Sequence, residues 1–231
     1  MGDKVLTRNV PQYFQALYHE VNNKINSTIT FKRSSDQHWF HEQKDENTFE
    51  IILNPKFESI DFWVKLLHEY LYILQTEQEY TNIITEKQDM CQMVYYLNRL
   101  LRDIDTIFRL ENDFIHCSDR IMQSYLSTFL SFNLLNYIRI DKKSEFVKIL
   151  ASILAFMHFF NSKIKHDIFA EEYKDLPYYY DEFISIVEQY ASNRNKDTFH
   201  DMQKQIINLF KWKDISFSKC ISNEFMYKET S

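Results

Sequence analysis

An α+β fold, predominantly α-helical, is what this chain predicts, with a small antiparallel sheet packed on helices followed by a helical bundle. Three observations carry that expectation. Short β-branched or alternating runs cluster between residues 27 and 53. Apolar residues recur at helical spacing almost throughout from Glu86 onward. The 231 residues include one glycine, Gly2, so glycine-loop nucleotide-binding folds are disfavoured, and hairpin turns and helix C-caps must use Asn or Asp instead. The expected organisation is an α+β region over 1–80 and a helical region over 81–231, joined in one continuous globular unit.

Taken in order, Pro11 should open the first helix, since proline suits a first turn. Phe14, Leu17, Tyr18, Val21 and Ile25 then share one face. Ser27–Lys32 reads as a strand, His38–Phe40 as a second, and Thr48–Leu53 as a third. A polar turn over Gln43–Asn47 separates the last two, and Asn54-Pro55 ends the third, because proline cannot donate to a ladder. Ser59 is the expected N-cap of the next helix, with Asp61 in its first turn. Ile60, Trp63, Val64, Leu67, Leu71 and Leu74 follow at helical spacing.

Beyond Glu86, one stripe comprises Met90, Met93, Val94, Leu97, Leu101, Ile104 and Phe108. Ile121, Met122, Tyr125, Leu126, Phe129 and Leu130 mark another helix. After the polar break Asp141-Lys142-Lys143, Ser144 is the expected cap of a helix reaching about Ile164. Asp175-Leu176-Pro177 is a second break, ahead of a helix from Tyr178 to about Ala191. Thr198 and Asp201 form the expected capping pair of a last helix ending at Phe210. The tail from Lys213 has no clear period.

Hydrophobic content of 45% and aromatic content of 16% provide a core able to offset chain ordering. The formal charge of −6 disfavours nucleic acid as a partner. Cys91, Cys117 and Cys220 are widely spaced and without a CxxC, which points to a reduced setting. No signal-peptide pattern opens the chain, and Phe146–Phe160, the most apolar run, contains Lys148 and His158 and reads as a buried helix. The expectation is therefore a cytoplasmic or otherwise intracellular protein that does not engage a membrane.

One segment carries chemistry, Thr48–Gln75, TFEIILNPKFESIDFWVKLLHEYLYILQ. Residues four apart share a helical face, so His68 and Tyr72 point the same way, with Gln75 close by. Zinc peptidases place two histidines at this spacing to grip one tetrahedral ion, and the glutamate after the first activates the metal-bound water. Here His68 and Glu69 occupy the first-ligand and general-base positions. Tyr72 occupies the second-ligand position, where a phenol with an ordinary pKa of about 10 is a poor substitute for imidazole.

A strand ending in IILNP, a short connector and then LLHE with a following glutamine resembles the edge strand and active-site helix of small zincin-fold metallopeptidases. The minigluzincin, SprT and ImmA-IrrE types share that arrangement. The resemblance covers about Val10 to Gln75 and implies a zincin-like front end over residues 1–80. It also implies an acidic third ligand on a later helix, for which Glu111 is the first candidate and Asp113 the second. Implied cofactors are none or one zinc ion, held by His68 and Glu111, with Glu69 as the catalytic base if the site is active.

Blander readings stand beside this one. His-Glu occurs three times, at His19-Glu20, His41-Glu42 and His68-Glu69, so the dipeptide alone says little. His38 and His41, with Glu42, could approach the same site, but a surface turn accounts for them more simply. Asp113-x-x-His116 and Asp197-x-x-His200 have the carboxylate–histidine spacing of di-iron bundles, yet the Glu-x-x-His pairs of such bundles are missing from the sequence. Cys117 beside His116 has no third partner that would mark a nucleophile. Tyr178-Tyr179-Tyr180 is either an aromatic contact surface or a helix start packed on the core.

Three functions follow. The first, which the substitution at Tyr72 favours, is a metallopeptidase-like protein without turnover that binds another protein, as an inhibitor, regulator or immunity-type factor. The second is an active zinc-dependent hydrolase using His68, Glu69 and Glu111. The third is a helical interaction module unrelated to zincins.

Overall fold

The strand with the most buried side chains takes the middle of the main sheet in this computed structural model, which describes residues 12–33, 40–53, 60–112, 143–159 and 173–219. The elements run α1 (Gln12–Asn22), β1 (Thr28–Arg33), β2 (Phe40–Asp45), β3 (Thr48–Leu53), α2 (Ile60–Glu77) and β4 (Thr81–Thr85). They continue as α3 (Gln88–Asn112), α4 (Lys143–Phe159), α5 (Leu176–Ser192), α6 (Lys196–Phe210) and β5 (Ile215–Lys219). The architecture is α+β and mostly helical. The chain divides into two units: residues 1–79, 106–131 and 219–231, and residues 80–105 and 132–218.

In the first unit the sheet order is β1-β3-β2. Phe49, Ile51, Ile52 and Leu53 are all buried, and that apolar load draws β3 between two neighbours. Its hairpin with β2 is antiparallel, whereas β1 joins the opposite edge in parallel, so the sheet is mixed rather than antiparallel. The strand expected at the edge, Thr48–Leu53, is therefore central, and β2 is an edge. β2 also runs through most of the predicted turn. A ladder irregularity between Gln43 and Asp45 accommodates its charged sequence, and Asp45 Oδ1 accepts the Asn47 N–H (2.9 Å) to close the tighter turn.

Helix α2 buries Trp63, Leu66, Leu67, Tyr70, Leu71, Ile73 and Leu74, too broad a set for one face, and so it is a core helix. Helix α1 packs on it through Tyr18, whose hydroxyl meets that of Tyr70 at 3.0 Å. The Glu77 carboxylate accepts the Asn26 and Ser27 N–H groups (3.0 and 2.7 Å), fixing the lead into β1. Pro11, Asn54-Pro55, Ser59 and the predicted helix over Ile121–Leu130 lie outside the described residues.

In the second unit, α4 packs on α5, and α5 on α6. The predicted stripe of α3 is buried throughout, Met90 to Ile104 in this unit and Phe108 in the first. Strand β4 was not expected from the sequence, nor was β5, with which it forms an antiparallel pair. Side chains tie β4 to the helices. Asn98 takes the Ile83 N–H at 2.8 Å and donates to its carbonyl at 2.7 Å, and Gln203 donates to the Thr81 carbonyl at 2.8 Å. Lys148, buried in α4, donates to Glu145 (2.8 Å) and to the Phe210 carbonyl (2.6 Å), satisfying the end of α6.

Two predicted caps and one predicted break shift. Ser144 lies inside α4, which already begins at Lys143. Pro177 sits in the first turn of α5 behind Asp175, because a missing N–H costs nothing there. Asn195, not Thr198, caps α6, and Thr198 closes the box reciprocally from the third position. With no glycine among the described residues, left-handed positions there fall to Glu79, Lys211 and Asp214, of which only Asp214 is a residue type favoured at such a position. Lys211 ends α6 at φ 57°, with its side chain exposed. Lys211→Gly should therefore raise stability by about 1 kcal/mol, read from the urea unfolding midpoint.

Candidate functional site

The described chemistry-bearing residues of the first unit gather where α2 faces β2. His68, Glu69 and Tyr72 all come from the helix, and spacing alone places His68 and Tyr72 on one side. Their rings lie 4.2 Å apart between centroids, tilted by 43°. The phenol thus packs on the imidazole it was expected to share a metal with. Glu69 is buried at 7% exposure, and its nearest partner comes from the sheet. His41 Nδ1 lies 2.6 Å from Glu69 Oε2, while His68 Nδ1 lies 3.5 Å from Oε1.

His41 is the residue that sequence reasoning misplaced. It was assigned to a surface turn, yet it is 9% exposed and held between Phe49 and Tyr72, each with a ring centroid 6.2 Å away. Its neighbour Glu42 points elsewhere and pairs with Lys44. Alternation along a strand explains the split, because successive side chains face opposite sides. The local sequence carries no signal for the His41–Glu69 contact, which spans 28 residues.

Electrostatics follow from this geometry. Burial alone would push the Glu69 carboxyl up, but the bonds from His41 and then His68 outweigh it and hold the group well below the ordinary carboxylate range. Glu69 is therefore an ionised acceptor, and the His41 nitrogen facing it carries a proton. The opposite nitrogen, Nε2, is buried without a hydrogen-bond partner. A carboxylate tied in this way is a weak base and is already committed to a neighbour.

Glu111 lies in α3 and its side chain is outside the described residues, as are His38, Asp113, His116 and Cys117. Asp197 is exposed at the start of α6, while His200 meets Thr81 Oγ1 at 3.2 Å and the Phe217 ring at 4.6 Å, so the two do not form a carboxylate–histidine pair. Tyr180 is buried in the core of α5, whereas Tyr178 is 58% exposed.

Among the described residues, the donors around His68 do not suit zinc. The helix offers one imidazole with a phenol stacked against it, and its carboxylate is taken by His41. Among the described residues, no group of three or more His, Cys, Asp or Glu side chains could hold a metal ion. No helix among them is long and apolar enough to cross a membrane. No protein-family model, curated protein or solved structure matches the chain.

Proposed function

We propose that the protein is a degenerate metallopeptidase-like factor without peptide turnover, which acts by binding another protein as an inhibitor, regulator or immunity-type factor. The observation that carries this reading is the 2.6 Å contact between His41 and Glu69. A general base must reach the water it activates, and this carboxylate is buried against a side chain of its own fold. Tyr72 in the second-ligand position supports the same reading, since its ring lies on His68 and not around a shared ion. The order helix, three strands, helix ahead of residue 80 is compatible with a zincin-like front end.

Binding is the use left to such a scaffold. Tyr178 is the large apolar side chain exposed among the described residues, edge-on to Tyr179 at 5.3 Å on the first turn of α5. Tyrosine is enriched where proteins meet. Tyr178→Ser should leave the unfolding midpoint within about 0.5 kcal/mol of the parent. It should also weaken capture of the partner by the purified chain; undiminished capture would move the contact elsewhere.

The decisive assay is enzymatic. The full chain supplied with zinc should cleave peptide libraries no faster than its Glu69→Gln variant. Chelator-sensitive cleavage that disappears in Glu69→Gln, together with stoichiometric zinc by elemental analysis, would refute the proposal and establish a working hydrolase.

A further inference from the structure

We infer that the outer edge of β1 pairs with the same edge of a second copy of this chain, joining two three-stranded sheets into one with Thr30 on the two-fold axis. The inference stands apart from the reading at His68 and Glu69 and rests on the sheet of the first unit. β1 ends the order β1-β3-β2, and among the described residues no strand lies on its other side. The Thr28 N–H donates to the Asn47 carbonyl at 2.8 Å, and the register runs unbroken to Arg33 opposite Leu53. In a parallel ladder alternate residues bond to the same neighbour. Thr28, Thr30 and Lys32 therefore turn their backbone groups to β3, whereas Ile29, Phe31 and Arg33 turn theirs outward.

The two edges of the sheet differ. β2 carries Glu42, Lys44 and Asp45 and a ladder irregularity between Gln43 and Asp45, devices that close an edge to further pairing. β1 has a regular ladder, and its charges, Lys32 and Arg33, are confined to its end. Ile29 and Phe31 stand level with the buried Phe49 and Ile51 on the core face, yet both are only half-buried. An added strand supplies the second neighbour that β3 already has.

The sequence of β1 suits a copy of itself. Residues opposite one another in an antiparallel ladder turn their bonds together, both inward or both outward, so the two-fold axis must pass through a residue and not between two. With Thr30 on the axis, Ile29 exchanges N–H···O bonds with the partner's Phe31, and the two Thr30 side chains face each other. Lys32 then meets the partner's Thr28, and Arg33 meets the partner's Ser27. The Ser27 N–H is already held by Glu77 at 2.7 Å, so the ladder ends there and Arg33 arrives beside a carboxylate. An axis through Phe31 would instead set Arg33 against the partner's Ile29. Charge complementarity thus selects both the occupant and the register.

The test follows the mass of the full chain by sedimentation equilibrium up to about 1 mM, a concentration at which even a weak specific contact is populated. The parent should be a reversible dimer. Thr30→Lys and Thr30→Glu each oppose like charges across the axis and should weaken dimerisation at least ~10-fold. An equimolar mixture of the two variants should recover it as a heterodimer, because opposite charges then meet. Thr30 is exposed, and its hydroxyl donates only a 3.2 Å bond to the Phe49 carbonyl, so both variants should fold. A parent that is monomeric throughout overturns the inference and leaves this edge to the strand of another protein. A dimer indifferent to charge at Thr30 overturns it too, as does a mixture that stays monomeric.

Should both variants fail to fold, amide hydrogen exchange in the parent decides the matter. Raising the protein concentration should slow the Ile29 and Phe31 amides, which point outward, and leave the Thr30 amide, bonded to β3, as it was. Ile29 and Phe31 amides that ignore concentration overturn the inference.

Discussion

Replacing His41 with alanine should destabilise the protein by about 3 kcal/mol at neutral pH, the scale for leaving a buried carboxylate without its hydrogen-bond partner. The loss exceeds the worth of the bond, because Glu69 would remain charged and buried with only the 3.5 Å contact to His68. The pH dependence identifies the cause. Glu69 is depressed below its ordinary 4.5 in the fold, so its contribution to stability is complete above that value and is lost as the pH falls below it. In His41→Ala the effect of burial gains weight, and protonating the lone carboxyl relieves the strain of charge. The gap between parent and variant should therefore be widest near pH 7 and narrow below pH 4.5. Urea titrations at several pH values measure it directly. A gap that ignores pH would mean that the loss is one of packing.

In the second unit, Tyr190→Phe should cost about 2–3 kcal/mol, the range for a hydrogen bond to a buried charged acceptor. The Tyr190 hydroxyl donates a short bond to Asp105, a residue of α3 with no exposed surface. Phenylalanine keeps the ring but leaves that carboxylate short of a donor. Burial, and after it the Asp105 charge, raise the Tyr190 phenol well above its ordinary 10.0. Its contribution is thus present below pH 10.0 and is lost as the pH climbs beyond it. The parent should consequently lose stability faster than Tyr190→Phe in strong alkali, and parallel alkaline titrations of the two would check this.

How much of this was legible beforehand depended on how far each contact reaches along the chain. The stripe from Met90 to Phe108 and the run Thr48–Leu53 declared themselves because their periods are local and their burial one-sided or complete. β4 escaped notice because Thr81–Thr85 is only 5 residues long and its edge is satisfied by Asn98 and Gln203, side chains of helices. β5 alternates weakly and none of its residues is fully buried. The site divides in the same way. Helical spacing predicted that His68 and Tyr72 would adjoin, and they do. The meeting of His41 with Glu69 depends on how the sheet docks, and the composition of either segment does not encode it. The parallel pairing of β1 with β3 was hidden for a related reason, since hairpin reasoning sees only neighbours in sequence.

The hydrogen bond from Gln75 to Thr106 has a consequence for how the molecule is made. Gln75 is wholly buried at the end of the helix that carries His68 and Glu69, and its amide donates to the Thr106 hydroxyl at 3.3 Å. Residues 80–105 belong to the other unit. A ribosome that has released the first eighty or so residues has therefore not yet supplied that acceptor, so this bond closes only after later chain has emerged. A clone truncated near residue 80 should accumulate as aggregate, whereas one that carries Thr106 has the missing hydroxyl in hand.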